Sequence, residues 1–205
     1  MNTRRNLVTG MGVAALGLIA IPGLTAGPAR SRSIPAGDGY FPNTQLFTHE
    51  GRAVRFYDDL IRGKVVAINM MYVSCAGRCP IATANLLRVQ KMLGERAGRD
   101  VFMYSITLQP ELDTPQQLKA FVDRHHVGPG WLFLTGAPED IEQLRFSLGF
   151  YDVNPEVDAN LANHSGMVRI GNDVYQRWTM APALAEPEQI LSTINHVDSR
   201  AVHTA

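Results

Sequence analysis

An almost unbroken apolar stretch, Val65 to Tyr72, leads into the loop that holds the only two cysteines of the chain, Cys75 and Cys79. An apolar run of this length is typical of a strand that is buried on both faces of a sheet. A helical pattern over 81–96 follows the loop, with apolar residues at helical spacing. The chain therefore predicts a strand–loop–helix unit with two thiols at its junction, which suits a redox couple or a soft-metal site.

Strands and helices alternate along the rest of the chain. The predicted strands are Leu46–Thr48, Ala53–Phe56, Lys64–Val73, Val101–Leu108, Trp131–Gly136, Met167–Ile170 and Val174–Trp178, and the predicted helices are 81–96, one beginning at Thr114, 138–146 and 187–197. The last two strands form a hairpin that is predicted to turn at 171–173. This order predicts an α/β fold: a thioredoxin-like single domain whose central mixed β-sheet is flanked by helices, with an added N-terminal hairpin.

The N-terminus predicts export from the cytoplasm. Arg4 and Arg5 precede an apolar, glycine-containing stretch, so residues 1–28 are expected to be a twin-arginine-type export signal or an N-terminal anchor. Residues 29–43 are expected to be a linker, 44–200 the domain and 201–205 a tail. The domain would then be periplasmic, and it could remain attached to the inner membrane through its N-terminus.

Charge argues against a nucleic-acid partner. Without Arg4 and Arg5, 17 basic side chains remain against 19 acidic ones, and no basic block is present. Since two cysteines do not make a disulfide scaffold, the fold must be stabilised by its hydrophobic core.

The thiol pair allows three interpretations. Pro80 suits the first helical position, so Cys79 is expected at the N-cap, where the helix dipole and the neighbouring Arg78 would favour a thiolate. A purely structural disulfide would close a very short loop and would contribute little stability. A dithiol oxidoreductase is compatible with the pair, although the motif has three intervening residues and the usual one has two. A metal site needs a third ligand.

Histidine is the natural third ligand, and the chain has six. His164 lies in an irregular segment that immediately precedes a predicted strand, from which a loop can reach a neighbouring loop at the same end of the sheet. The other five are expected to be surface residues: His49, His125, His126, His196 and His203. Two thiolates and an imidazole favour copper, as Cu(I) or Cu(II), over zinc, because structural zinc prefers four ligands and no fourth is evident. Three methionines close to these positions are expected to fill the core, although thioethers can be weak ligands: Met70, Met71 and Met167.

The chain resembles a known family, the Sco (SenC/PrrC-like) copper chaperones. The resemblance extends from about Phe41 to Trp178 and rests on segments that occur in the same order: 63–66 (Gly-Lys-Val-Val), 75–80 (Cys-Ala-Gly-Arg-Cys-Pro), 110–115 (Pro-Glu-Leu-Asp-Thr-Pro), 134–136 (Leu-Thr-Gly) and 163–165 (Asn-His-Ser). The motifs are specific as a set and weak singly.

The resemblance implies a periplasmic protein that binds one copper per chain through Cys75, Cys79 and His164, with the two cysteines forming a reversible disulfide in the absence of metal. It also implies two kinds of partner: a copper-accepting subunit of a respiratory enzyme such as cytochrome c oxidase, and thiol–disulfide partners. A classical enzyme is not expected, although Cys75 and Cys79 could be the redox-active pair of a thiol–disulfide oxidoreductase. A thioredoxin-superfamily peroxidase, with one cysteine as the nucleophile, is a further alternative.

The chain departs from the family pattern at two places. Family members often have Pro-Asp after the first cysteine, where this chain has Ala76-Gly77, and often an Asp where it has Gln109. The fewer carboxylates make the surroundings of the site less negative, which bears on the client protein and on the balance between copper delivery and thiol reduction.

Overall fold

The computed structural model describes residues 40–75, 77–164 and 166–199. The predicted export signal with Arg4 and Arg5, most of the predicted linker, His203 and the predicted tail lie outside these residues. Within them, no helix combines the length and the apolar composition that crossing a membrane requires.

The described residues form seven strands and five α-helices. The strands are β1 (Gln45–Thr48), β2 (Ala53–Arg55), β3 (Val65–Met71), β4 (Val101–Thr107), β5 (Trp131–Gly136), β6 (Met167–Asn172) and β7 (Arg177–Pro182). The helices are α1 (Arg78–Leu93), α2 (Pro115–Arg124), α3 (Pro138–Ser147), the single turn α4 (Pro155–Asp158) and α5 (Pro187–Asp198). A π-helical segment, Phe56–Ile61, follows β2, and short 3₁₀ segments occupy Gly94–Arg96 and Leu161–His164.

The strands form one mixed sheet in the order β2-β1-β5-β4-β3-β6-β7. The central β5, β4 and β3 are parallel, because helical crossovers connect them, and the flanking strands pair antiparallel. The predicted mixed sheet, its flanking helices and the N-terminal hairpin, formed by β1 and β2, are confirmed. The parallel β3 is buried at every position, as its continuous apolar sequence predicts.

Two hydrophobic cores lie on the two faces of this sheet. The first packs α1, α2 and α5 against the sheet and includes both cysteines. The second packs α3 and the π-helical segment against the other face, together with Phe41 and Phe150. Phe41, which lies at the end of the predicted linker, is 3% exposed and packs edge-on against Phe56 and Trp178.

The start of α2 follows the local sequence. The Thr114 hydroxyl accepts a hydrogen bond of 3.3 Å from the backbone N–H of Gln117, and Pro115 occupies the first turn. A hydroxyl at the N-cap satisfies one of the backbone donors that a helix start leaves unpaired, and proline is tolerated there because its missing N–H has no intrahelical partner.

The predicted turn of the second hairpin is wrong. Gly171 and Asn172 belong to β6, and the turn lies between Asn172 and Arg177. Gly171 pairs with Trp178, and a Cβ at residue 171 would overlap the Trp178 ring. The glycine therefore serves a close approach inside the sheet and not a turn.

Candidate metal and thiol site

Cys75 and Cys79 are thiols and not a disulfide, and they lie side by side at the start of α1. Cys75 is 8% exposed and Cys79 is 2% exposed, and both pack into the core that α1 shares with the sheet. The backbone N–H of Cys79 is 3.4 Å from the Cys75 sulfur. The predicted juxtaposition of the two thiols at a strand-to-helix junction is therefore present in the structure.

The predicted N-cap is displaced by two residues. Gly77 caps α1, so that Cys79 is already in the first helical turn with Pro80 after it. Proline is tolerated throughout the first turn, because none of those N–H groups has an intrahelical acceptor. The helix start therefore directs its N–H groups at Cys75, and Cys75 takes the place that the sequence assigned to Cys79.

Hydrogen bonds to sulfur lower the pKa of Cys75. Burial alone would raise it, but the side chain and backbone N–H of Cys79, the backbone N–H of Gly77 and the Tyr72 hydroxyl outweigh that effect. The hydrogen bond between Tyr72 and Cys75 is also the main cause that raises the pKa of Tyr72. A thiolate is both the nucleophile in disulfide exchange and the form that binds metal, so this environment prepares Cys75 for either reaction.

The segment that follows β4 anchors the cysteine loop through hydrogen bonds. The buried carboxylate of Asp113 accepts hydrogen bonds from the backbone N–H of Val73, at 3.0 Å, and from the Thr107 hydroxyl, at 2.5 Å. The Ser74 hydroxyl donates to the side-chain oxygen of Gln109 at 2.9 Å. The Pro-Glu-Leu-Asp-Thr-Pro segment thus positions the cysteine loop, and Gln109 contributes to this although it departs from the family pattern.

His164 does not lie with the two thiols. The residue is 4% exposed, and its Nε2 is 2.7 Å from the backbone carbonyl oxygen of Asp158. It lines a small cavity of about 110 Å³ with Phe150, Met167 and Met180, which belong to the face of the sheet that α3 covers. Among the residues that the structure describes, no group of three or more histidine, cysteine, aspartate or glutamate side chains is close enough to hold a metal ion.

His164 nevertheless lies near the same end of the sheet as the cysteines. β6 runs antiparallel to β3, and Val168 near its start pairs with Asn69 near the end of β3. His164 lies three residues before β6 and Cys75 four residues after β3, so both loops border one sheet edge.

Arg145 is a buried cation beside His164 that the sequence reading did not single out. Arg145 is 5% exposed, and its guanidinium pairs with Glu142 and Asp158. Hydrogen bonds from Arg145, and from the Asp152 N–H, hold the pKa of Asp158 at about 2. Arg145 follows the buried Ile141 by four residues, and this position on the inward face of α3 was the available signal.

The other histidines are mostly as predicted. His196 and His126 are exposed, and His125 is half-buried at the end of α2. The expectation for His49 was wrong: it is 8% exposed, and its Nδ1 accepts a hydrogen bond of 3.2 Å from the Phe133 N–H.

The methionines beside the site behave as core residues. Met70 and Met71 are fully buried on opposite faces of β3, and Met167 is partly buried beside the second core. Met71 shares its core with both cysteines, whereas Met70 and Met167 belong to the core on the other face.

The donor set fits a thiophilic metal. Two adjacent thiols, one of them with a lowered pKa, are the soft donors that copper(I) selects, and they can equally exchange with a disulfide. His164 could complete a three-ligand set only after leaving Asp158, because its Nε2 is already hydrogen-bonded.

Known proteins share both the sequence pattern and the fold. A family model described as SCO1/SenC matches residues 39–198. The SCO1 protein homolog of Bacillus subtilis is 30% identical over 118 residues, which are 55% of this chain and 60% of that protein. The match therefore spans less than two thirds of that relative's length.

Two solved structures share the architecture. Bradyrhizobium japonicum ScoI with copper bound superposes with a TM-score of 0.58 at 22% identity, over 75% of this chain and 96% of that one. BsSco, a disulfide-switch protein of the Sco family of cytochrome c oxidase assembly proteins, gives a TM-score of 0.59 at 23% identity, over 75% and 90%. At these identities the two likenesses show the fold, whereas the family match covers most of the chain. The chain belongs to the SCO1/SenC family and has its thioredoxin-like fold.

Proposed function

We propose that this protein is a copper metallochaperone that binds one copper ion per chain through Cys75, Cys79 and His164. The observation that carries the proposal is the pair of reduced thiols at the start of α1, where backbone N–H groups help to lower the pKa of Cys75. Two thiolates form a soft site for copper(I), and the His164 imidazole, once released from Asp158, is a suitable third donor.

The family supports copper as the metal. Bradyrhizobium japonicum ScoI, a protein of similar fold, is solved with copper bound, and this chain places two cysteines at the start of α1 in that fold. The client we propose is a copper-accepting subunit of a respiratory enzyme such as cytochrome c oxidase, in line with the assembly role named for the Sco family.

The N-terminal sequence supports a periplasmic location. Arg4 and Arg5 fit a twin-arginine export signal, so the domain would work outside the cytoplasm, free or attached to the inner membrane. A fusion of residues 1–43 to a reporter that is active only after export tests this. Replacing both arginines by lysine should abolish export, and a signal that is unaffected by this change would contradict the assignment.

Copper binding tests the ligand set. We expect the reduced protein to bind one Cu(I) per chain in competition with a chromophoric chelator, and His164→Ala to weaken binding at least about tenfold. His196→Ala is the matched control, because that histidine is exposed on α5 and distant in sequence from the thiol loop. Equal affinities for wild type and His164→Ala would remove His164 from the site.

Thiol reduction is a second candidate function, and the contact between the Cys79 N–H and the Cys75 sulfur favours it. In that reaction Cys75 attacks a disulfide of the client, and Cys79 then resolves the mixed disulfide. Two electrons pass to the client, whose two thiols also take up two protons, and a Cys75–Cys79 disulfide forms. In a peroxidase, by contrast, one of the two thiols would be the nucleophile that attacks peroxide.

Two measurements separate these functions. Reduction of a model disulfide should be unchanged in His164→Ala, whereas copper binding should depend on that residue. Oxidation to the Cys75–Cys79 disulfide should abolish copper binding, because a disulfide sulfur is not a thiolate. Copper loading that proceeds equally well after oxidation would exclude the thiol pair as the copper site.

A further inference from the structure

The buried Arg145 joins three parts of the chain. Its Nε and Nη2 donate to the Glu142 carboxylate at 2.8 and 2.7 Å, and its Nη1 and Nη2 donate to the Asp158 carboxylate at 2.8 and 2.9 Å. Nη1 also donates to the backbone carbonyl of Phe150 at 3.0 Å. Bidentate guanidinium–carboxylate pairs are strong and directional, so this Arg145 cluster (Arg145, Glu142 and Asp158) fixes the segment from Phe150 to Asp158 against α3.

The same cluster holds the His164 ring. The side chain of Asp158 binds Arg145, while its backbone carbonyl lies 2.7 Å from His164 Nε2. A carbonyl oxygen is only an acceptor, so Nε2 must carry the proton of that hydrogen bond. Arg145 Nη1, at 3.3 Å from Nε2, is then a second donor pressed against the ring and not a partner for it.

The cluster therefore competes with metal binding for one imidazole. His164 packs beside Met167 and Met180 on the α3 face, whereas Cys75 and Cys79 pack in the core on the α1 face. The ring cannot remain on Asp158 and also meet both thiols. If His164 is a copper ligand, its hydrogen bond to Asp158 has to break first.

We propose that Arg145 and Asp158 are positioning residues that hold His164 away from the thiol pair, so that the strength of the Arg145 cluster sets how readily copper recruits its third ligand. The inference rests on the proposed copper site. Apparent affinity falls in proportion to the fraction of molecules in the binding-competent arrangement, so weakening the cluster strengthens copper binding.

Asp158→Asn tests this by removing the charge that pairs with Arg145. We expect Cu(I) affinity to rise about three- to tenfold, because a larger fraction of molecules has a released His164. Asp198→Asn is the matched control: it removes an aspartate that pairs with Arg96 at 3.2 Å on α5, and it should leave copper affinity unchanged.

The same substitution in a His164→Ala background separates positioning from general loosening. Without the imidazole there is nothing to release, so Asp158→Asn should then have no effect on affinity. An equal change in both backgrounds, or a fall in affinity in the wild-type background, would overturn the proposal. If His164→Ala alone leaves affinity unchanged, the proposed three-ligand site is wrong, and that result is distinct from failure of the positioning role.

A spectroscopic readout is independent of copper. In the copper-free protein, nitrogen-15 NMR should show a protonated Nε2 on His164 that exchanges slowly with water, and Asp158→Asn should make this exchange fast. Arg145→Lys provides a second variant with the same expected direction, because a lysine cannot pair bidentately with Asp158. Slow exchange retained in both folded variants would show that the cluster does not hold the ring.

Discussion

The backbone N–H of Cys79 is directed at the sulfur of Cys75, 3.4 Å away. A backbone N–H in the first turn of α1 thus stabilises the thiolate of Cys75, which lies in the loop before the helix. This contact helps to lower the pKa of Cys75, so that its sulfur is prepared to engage a metal or a disulfide.

Tyr72→Phe should raise the pKa of Cys75. The Tyr72 hydroxyl is one of the hydrogen-bond donors that lower this pKa, and phenylalanine cannot replace it. The rate of Cys75 alkylation, followed by mass spectrometry against pH, should shift to higher pH. Tyr175→Phe, which removes a hydroxyl from the turn before β7, should leave the profile unchanged, and coincident profiles for all three proteins would refute this role of Tyr72.

Asp113→Asn should loosen the cysteine loop. Asp113 is 3% exposed, and its carboxylate accepts from both Thr107 and the Val73 N–H, so an amide there weakens two charge-assisted hydrogen bonds. We expect the free energy of unfolding in urea to fall by about 1–3 kcal/mol. Asp123→Asn, in an exposed pair with Lys119, should change it by less than about 0.5 kcal/mol. Equal small losses would show that Asp113 is not an anchor.

Gly171→Ala should destabilise the β6–β7 hairpin. A Cβ at this position would overlap the Trp178 ring, so either the ring or the strand has to move. Overpacking of this kind costs about 1–3 kcal/mol in the free energy of unfolding, measurable by urea denaturation. At Gly128 a Cβ would only reach ordinary contact with Gln90, so Gly128→Ala should be close to neutral. A neutral Gly171→Ala would show that Trp178 is free to shift.

Acidification should destabilise the protein through His49. Burial lowers the pKa of His49 below its ordinary 6.5, against the opposing charge of Glu50. The unfolded chain therefore takes up this proton first. The stability from uncharged His49 is complete above pH 6.5 and declines as the pH falls through the lowered value.

Urea midpoints between about pH 7 and about pH 5 test the role of His49. We expect His49→Asn to flatten their pH dependence, since its amide oxygen can still accept from the Phe133 N–H. Some slope should persist, because burial also lowers the pKa of His125. An unchanged slope in His49→Asn would assign the acid sensitivity to other groups.

Local signals were sufficient for most of the architecture. The apolar run of β3, the capping residues of α2 and the alternation of strands and helices predicted the mixed sheet and its thiol loop, because these features depend on neighbours within a few residues. The same local patterns misplaced the second hairpin turn, because Gly171 makes room for the ring of Trp178 on the paired strand and does not form the turn.

The sequence by itself determined that two thiols lie close together at a strand-to-helix junction. The two cysteines are only four positions apart, and local patterns predict the strand before them and the helix after them. Only the tertiary structure decided the partner of His164, the burial of His49 and the place of Arg145. Each of these depends on contacts between separate elements: His49 bonds a strand 84 residues away, and Arg145 is held by Asp158, 13 residues further along the chain. Packing makes a charge or a ring buried or exposed, and no local pattern of residue types contains that information.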